Sequence, residues 1–362
     1  MQFHEIINAK FSKESYRPMM QKAAFPVNAL FGAYLFRYGK DIPIPTLYSD
    51  LVNYSHASPL KDKKGKWTHW ENVIYEPDQL DLLKITLVKT YTILKKHSLT
   101  EDAAHFDIER IDFCEYGNSI PYRIKVINNH TAKYDFFYIK QADASRIYGL
   151  ELEHLLTNNP INFLYHQNTL VEEHIDGIPG DIFFKQSPGL DEGGKIAIAR
   201  AFVQFNECCF TRLLGDMRSY NFVVNPLSVD GKTQYRIRAI DFDQQCYEGR
   251  KNLYFPQFYK ENIDYVELVL QKLTSLEIIQ SQELELRAMA LRIITYRRQL
   301  MELLNSMSGD ELSENYKIQM LRNELNLHFE TTNFSTCKTM GAIVKQQLKQ
   351  VLKRHIQMLK LK

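Results

Sequence analysis

The stretch Leu213-Leu-Gly-Asp-Met-Arg-Ser-Tyr-Asn-Phe-Val-Val224 (LLGDMRSYNFVV) places an aspartate and an asparagine five residues apart, just ahead of an apolar run. A second stretch, Ile240-Asp-Phe-Asp243 (IDFD), follows sixteen residues later. Short oxygen-bearing side chains at strand ends are typical of Asx turns. They are also the hard ligands that Mg²⁺ prefers. The surrounding sequence is needed to distinguish a turn from a metal–phosphate site.

Composition indicates a globular protein. The chain has 362 residues, enough for two domains or one large two-lobed one. A hydrophobic fraction of 44% and a charged fraction of 24% exclude disorder as the dominant state. The net charge of +2 gives no general argument for nucleic-acid binding, which usually goes with a strong basic excess.

The cysteines and the N-terminal residues predict a cytoplasmic location. The five cysteines are an odd number and show no paired metal-ligand spacing. His166 and His174 belong to separate predicted strands and form no zinc motif. No apolar signal segment opens the sequence, and no run of about 18 apolar residues occurs. We therefore expect a cytoplasmic protein with reduced thiols.

The order of predicted elements is specific. Residues 1–100 look mostly helical, with a clear helix over 77–96. Five strands are then predicted near 106–115, 121–127, 135–141, 163–166 and 169–175, with a helix over 143–157 between the third and fourth. From residue 191 the chain is mainly helical, apart from a short hairpin formed by 221–225 and 235–240.

The embedded hairpin brings the two opening stretches together. It would deliver Asp241 beside Asn221, while the loop before it points Asp216 into the same cleft. Phosphoryl transfer from a nucleotide needs little more than phosphate contacts, a divalent cation and a carboxylate near the attacking hydroxyl. The residue types at these positions therefore fit a kinase.

These motifs resemble the catalytic and metal-binding loops of the protein-kinase-like fold, nearest to the aminoglycoside phosphotransferase and choline-kinase type of small-molecule kinases. The resemblance implies ATP and Mg²⁺ as cofactors. It assigns Asp216 to the acceptor hydroxyl and Arg218 to the transferring phosphate. It assigns Asn221 and Asp241 to the metal, with Asp243 either a second metal ligand or a structural carboxylate.

The resemblance extends upstream, over roughly residues 105–245. Lys140 matches the lysine that contacts the α- and β-phosphates, and Glu151 matches the helix glutamate that pairs with it. On a helical wheel Glu151 lies at the margin of the apolar side and Glu153 faces away, which favours Glu151 for the pair. Two further sets of residues would contact the nucleotide. They are the phosphate loop Gly117, Asn118 and Ser119, and the adenine-binding segment Glu172, Glu173, His174 and Ile175.

The implied fold class is α+β, a two-lobed protein-kinase-like fold. It comprises a mostly helical N-terminal extension (1–100), an N-lobe with a five-stranded antiparallel sheet (101–173) and a helical C-lobe (174–362). MgATP would bind between the lobes. The sequence departs from the pattern at several points. The phosphate loop has a single glycine, Leu214 stands where a histidine often precedes Gly-Asp, and no Ala-Pro-Glu element follows Asp243.

Other functions stay open. The fold could serve a pseudokinase-type nucleotide-binding or scaffold protein, or a nucleotidyl transferase acting on protein side chains. The amphipathic C-terminal segment carries Val344, Leu348, Leu352, Ile356 and Leu359 on one face. It could meet an anionic membrane or nucleic acid, but a packed terminal helix with a solvated basic face is the simpler interpretation. We expect a nucleotide and a hydroxyl-bearing acceptor as partners, and no nucleic acid. The acceptor and the oligomeric state are left open.

Overall fold

The structure is a computed structural model that describes residues 22–62, 64–96, 103–115, 118–229 and 231–360. The chain divides into two compact units. The sheet unit comprises Ala23–His154 and Asn159–Ile175. The helical unit comprises Lys22, Leu155–Asn158 and the described residues from Asp176 onward. The division after residue 175 lies close to the expected start of the helical part, whereas residues 23–100 fall in the same unit as the sheet.

The sheet unit contains a seven-stranded antiparallel sheet, so the expectation of five strands was wrong. Its strands are β1 (His56–Lys61), β2 (Trp67–Ile74), β3 (Phe106–Phe113), β4 (Tyr122–Asn128), β5 (Tyr134–Gln141), β6 (Phe163–His166) and β7 (Thr169–Glu173). Their order in the sheet is β1-β2-β3-β4-β5-β7-β6. The additional strands β1 and β2 form an edge hairpin from residues that we expected to be mostly helical.

One face of this sheet is covered by helix. The helix α3 (Pro77–Lys95) packs on β3 and β7, close to its predicted bounds. Proline at its first position suits a helix start, because the missing N–H has no intrahelical partner there. Alternate residues of β4 are buried in the same hydrophobic core as residues of this helix, namely Tyr122, Ile124 and Val126. The alternation that predicted the strand therefore marks its core face.

The helix α4 (Ala144–Leu156) follows β5 and is buried on almost every side. A segment from the start of the chain covers it. The Phe25 N–H donates to Asp143 Oδ1, and the rings of Phe31 and Tyr148 stack with centroids 3.7 Å apart. Phe31 belongs to α1 (Ala29–Arg37), which begins at the N-cap Asn28. A second short helix, α2 (Tyr48–Leu51), precedes β1.

The helical unit holds the hairpin of the opening motifs. The short strand β8 (Ile178–Pro179) pairs with β9 (Phe222–Val229), which pairs with β10 (Lys232–Ala239). The helices are α5 (Phe183–Gln186), α6 (Glu192–Arg212), α7 (Ile263–Lys272), α8 (Ser275–Thr295), α9 (Arg297–Ser308), α10 (Asn315–His328) and α11 (Met340–Lys360). Residues 263–308, in the part of the chain that we expected to be mainly helical, form the three helices α7 to α9.

The C-terminal helix α11 packs against α6, α8 and α9. Val344, Leu348 and Leu352 of the predicted apolar face are buried. The basic residues Lys353 and Arg354 are exposed, as expected for a packed terminal helix. No helix in the described part of the chain has both the length and the apolar character that a membrane crossing needs.

Candidate functional site

The loop after α6 is fastened to the IDFD segment by backbone hydrogen bonds. Helix α6 ends where Leu213 adopts a left-handed conformation (φ 57°) and turns the chain. The Gly215 N–H then donates to the Gln244 carbonyl at 3.2 Å, and the Cys246 N–H donates to the Leu213 carbonyl at 2.9 Å. A Cβ on Gly215 would lie 3.3 Å from that Gln244 oxygen, so a side chain here would press the two segments apart.

Asp216 is held in an unusual conformation. Its φ of 56° lies in the left-handed region, where aspartate is more tolerated than most side chains. The backbone N–H donates to the Tyr259 hydroxyl oxygen at 2.9 Å. Asn221 Nδ2 donates to the Asp216 carbonyl at 2.8 Å and lies 3.3 Å from Oδ2. Two side chains from outside the turn thus fix the residue that the sequence predicts to be catalytic.

The Asp216 carboxylate is also bound by Arg218. Arg218 Nε donates to Asp216 Oδ1 at 2.7 Å, and its Nη1 donates to Glu261 Oε1 at 2.7 Å. The guanidinium lies over the Tyr259 ring, 4.9 Å from its centroid. Arg218 is therefore positioned by two carboxylates and an aromatic face, an arrangement that its planar group suits.

Burial dominates the electrostatics of Asp216. Desolvation raises the pKa of its carboxyl to about 6, against the opposing effect of the Arg218 hydrogen bond and charge. The negative charges of Asp241 and Glu248 raise the pKa further. At neutral pH the carboxylate is mainly ionised, and it titrates close enough to that pH to exchange a proton with a substrate.

The hairpin places Asp241 next to Asn221, as predicted. Phe222 of β9 pairs with Ala239 of β10, and the Ile240 N–H donates to the Asn221 carbonyl at 3.0 Å. Asp241 is the next residue, and its negative charge raises the pKa of Asp216. The stretch LLGDMRSYNFVV and the stretch IDFD therefore form one cluster.

Asp243 lies in surroundings that are typical of a structural carboxylate. Its side chain is buried, and its N–H donates to Asp241 Oδ1 at 3.0 Å. The Asp243 carbonyl accepts a hydrogen bond from Lys22 Nζ at 2.6 Å. The turn thus orients Asp241 through the backbone of Asp243.

The donor set of this cluster fits a magnesium ion. Asn221 uses its amide nitrogen towards Asp216, which leaves the amide oxygen on the opposite side of the planar group. Together with the Asp241 carboxylate this gives hard oxygen donors. Among the described residues there is no group of three or more His, Cys, Asp or Glu side chains able to hold a metal. Phosphate oxygens and water would therefore have to complete the coordination, as is usual for Mg²⁺.

In the sheet unit, Lys140 pairs with Glu172, whereas we expected Glu151 as its partner. Lys140 Nζ donates to Glu172 Oε2 at 2.7 Å. Arg146, from the first turn of α4, binds both oxygens of the same carboxylate. Burial favours the neutral acid, yet Arg146 and Lys140 together hold the pKa of Glu172 down to about 2. The carboxylate is shared by two cations in a buried cluster.

Glu151 has partners that the sequence did not indicate. The Tyr34 hydroxyl donates to Glu151 Oε2 at 2.5 Å, and Lys40 Nζ lies 3.9 Å from Oε1. Burial lowers the pKa of Lys40, against the opposing charge of Glu151. Glu153, which the helical wheel placed away from the apolar side, is buried as well. Tyr34 and Lys40 of segment 22–40 cover the Glu151 side of α4, a contact that the helical wheel could not include.

Of the other residues that we expected to contact the nucleotide, some lie in the sheet and some lie in loops. Glu172 pairs with both β5 and β6, and Glu173 pairs with β5 and donates its N–H to the Asn162 carbonyl, so their backbone groups serve the sheet. Only His174 and Ile175 lie beyond the last paired position, and His174 Nδ1 is 3.0 Å from the Tyr138 hydroxyl. In the predicted phosphate loop, Asn118 is half-buried and Ser119 is buried, while Gly117 lies outside the described residues.

Sequence reasoning missed four residues that shape these clusters: Glu172 as an ion-pair partner, Arg146, Tyr259 and Glu261. One signal was available for Glu172. Lys140 pairs with Leu170 and Tyr138 pairs with Glu172, so Lys140 and Glu172 are diagonal neighbours on one sheet face. No local pattern marks Tyr259 or Glu261, because both lie more than 40 residues beyond Asp216.

No protein-family model matches the chain, and a search of curated proteins found no match.

Proposed function

We propose that the chain is an ATP- and Mg²⁺-dependent phosphotransferase that phosphorylates a hydroxyl group of a small molecule or a protein. The observation that carries the proposal is the cluster of Asp216 with Asn221 and Asp241. A hydrogen bond joins Asp216 to Asn221, and the charge of Asp241 raises its pKa. Phosphoryl transfer requires a carboxylate beside hard-oxygen metal ligands.

Each residue of the cluster has a separate task. Asp216 would accept a hydrogen bond from the acceptor hydroxyl and orient it for attack, and its pKa of about 6 suits proton exchange near neutral pH. Arg218, held by Glu261, keeps Asp216 in place and presents a positive charge where phosphate charge develops. Asn221 and Asp241 would hold magnesium, which would neutralise the phosphate oxygens.

The proposal extends to the sheet unit through Lys140. Its amino group is buried, and the Glu172 ion pair holds it in one orientation. Lysine is a common point-charge binder of phosphate. Arg146 binds the same carboxylate, and the two positively charged side chains would favour a bound anion.

The test is ATP turnover by the purified chain with and without Mg²⁺, with products identified by mass spectrometry. We expect Asp216→Asn to lower turnover by about 10²–10⁴-fold. Asp241→Asn should abolish the magnesium-dependent part of the thermal shift that ATP produces. The control is Asp264→Asn, which changes an exposed aspartate at the start of α7 in the same unit.

The outcomes separate the alternatives. Transfer of phosphate that is lost in Asp216→Asn supports the proposal. Transfer of AMP would replace it with a nucleotidyl transferase. Nucleotide binding without any turnover would point to a pseudokinase-type protein. A nucleotide shift that needs neither magnesium nor Asp241 would remove the metal assignment.

A further inference from the structure

A cavity in the helical unit is separate from the Asp216 loop. It has a volume of about 400 Å³, within the range of small-molecule sites. Helices α6, α8 and α11 supply most of its walls, and segments around Phe255 and His328 close it. None of the residues that line it belongs to the LLGDMRSYNFVV or IDFD stretches.

The cavity walls combine aromatic rings with two carboxylates. Phe210 and Phe255 stack with centroids 4.1 Å apart, and the His328 ring meets Phe210 edge-on at 5.3 Å. Glu207 lies one turn before Phe210 on α6, and Glu283 belongs to the lining face of α8. An apolar body with a few convergent polar groups is typical of a ligand site.

Glu207 has a neutral partner. Its Oε2 accepts a hydrogen bond from Gln282 Nε2 at 3.0 Å, and it forms no ion pair with any residue that the structure describes. Desolvation raises the pKa of Glu207 to about 7, and the negative charge of Glu283 adds to the rise. Because Glu207 is only half-buried and pairs with no cation within the described part of the chain, a positively charged ligand would be bound favourably here.

Several titratable groups lie near the two carboxylates. Burial lowers the pKa of His328 to about 4, so its ring is neutral at pH 7. His355 Nε2 lies 3.0 Å from Glu283 Oε2, and Arg287 Nε lies 4.0 Å from the same oxygen, on the exposed side of α8. Lys251 Nζ lies 5.5 Å from the centroid of the Phe255 ring, and its positive charge also lowers the pKa of His328.

We infer that this cavity binds a small molecule that carries a primary ammonium group on an aromatic or branched apolar body. The ammonium group would donate to Glu207, with Glu283 adding attraction. The body would lie against the rings of Phe210 and Phe255, where a cation also gains from the aromatic faces.

The experiment compares 2-phenylethylamine with 2-phenylethanol, which has the same shape without the charge. Binding to the full chain is followed by ligand-observed NMR. We expect the amine to bind with a dissociation constant of about 1 mM, a normal value for so few atoms. Glu207→Gln should reduce the preference for amine over alcohol by about tenfold or more. Glu267→Gln, which changes an exposed glutamate on α7, is the matched control.

A second variant leaves the Glu207 side chain unchanged. Ile279 lines the cavity and is 47% exposed, so Ile279→Lys should leave the fold intact while placing a competing cation at the carboxylates. We expect it to weaken binding of the amine. In wild type the amine affinity should rise by at most about tenfold from pH 6 to pH 8, because Glu207 loses its proton in this range. Glu207→Gln should remove that dependence.

The inference is overturned if the alcohol binds as well as the amine, or if Glu207→Gln keeps the preference. It is also overturned if the amine shows no saturable binding up to its solubility limit. Binding that persists unchanged in Ile279→Lys would place the ligand elsewhere on the protein.

Discussion

The amino group of Lys140 lies 2.7 Å from Glu172 Oε2, on the neighbouring strand of the same sheet. Arg146 binds both oxygens of that carboxylate from the start of α4. Glu172 thus joins strand β5, strand β7 and helix α4 through one buried anion. The arrangement makes this carboxylate central to the stability of the sheet unit as well as to the orientation of Lys140.

Replacing Glu172 should therefore destabilise the protein strongly. In Glu172→Gln two buried cations lose their anion, which should lower the free energy of unfolding by about 3–5 kcal/mol. Urea denaturation at pH 7 measures the loss. Glu115→Gln, at an exposed position of the same unit, is the control and should stay within about 0.5 kcal/mol of wild type.

The pH dependence of this effect has a defined sign. The pKa of Glu172 is lowered from 4.5 to about 2. Its stabilising contribution is therefore complete above about pH 4.5 and is lost as the pH falls towards 2. The difference between wild type and Glu172→Gln should shrink over that window. A difference that is constant from pH 7 to pH 3 would contradict the assignment of the charge.

Asp216→Asn should stabilise the protein at neutral pH while lowering the proposed phosphotransfer activity. Burial raises the pKa of Asp216 from 3.8 to about 6, so its contribution to stability is complete below pH 3.8 and is lost as the pH rises through 6. Relative to wild type, the variant should gain up to about 3 kcal/mol between pH 4 and pH 8. Thermal unfolding across this range gives the measurement, and a gain that falls with rising pH would count against the raised pKa.

Tyr34 should matter for stability although it lies far from the predicted motifs in sequence. Its hydroxyl donates to the buried Glu151 carboxylate, so Tyr34→Phe removes a hydrogen bond from a buried charged group. We expect a loss of about 1–3 kcal/mol in the free energy of unfolding. Tyr54→Phe, a partly buried tyrosine of the same unit, is the control. Equal effects of the two variants would show that the Tyr34 hydroxyl adds nothing specific.

The central strands and the hairpin of β9 and β10 were predictable because their signals are local. The alternation of Tyr122, Ile124 and Val126 reports a buried sheet face directly. The five-residue spacing of Asp216 and Asn221 predicted the loop that precedes the hairpin. The hairpin then brings Asp241 close to that loop. These features depend on neighbouring residues along the chain.

The edge hairpin and the ion pairs could not be read in the same way. Strand β1 is an edge strand that contains Pro59 and has no buried residue, so it lacks the apolar period of a strand. The choice between Glu151 and Glu172 as the partner of Lys140 depends on strand register. It also depends on the Tyr34 hydroxyl, which donates a hydrogen bond to Glu151 although the two residues are 117 positions apart in the sequence. Neither is encoded in the local pattern of α4.

Two helical glycines should respond to alanine in opposite directions. A Cβ at Gly341, near the start of α11, would collide with the Met307 carbonyl and lie 2.7 Å from Ser308 N, both at the end of α9. Those are backbone atoms and cannot swing aside, so Gly341→Ala should separate α9 from α11 and cost more than about 2 kcal/mol. A Cβ at Gly32 in α1 meets nothing within 4 Å, so Gly32→Ala should stabilise the protein by up to about 1 kcal/mol. Urea denaturation of both variants tests the close approach of the two helices. If Gly341→Ala were as stable as Gly32→Ala, α11 could not pack on α9 as closely as the structure has it.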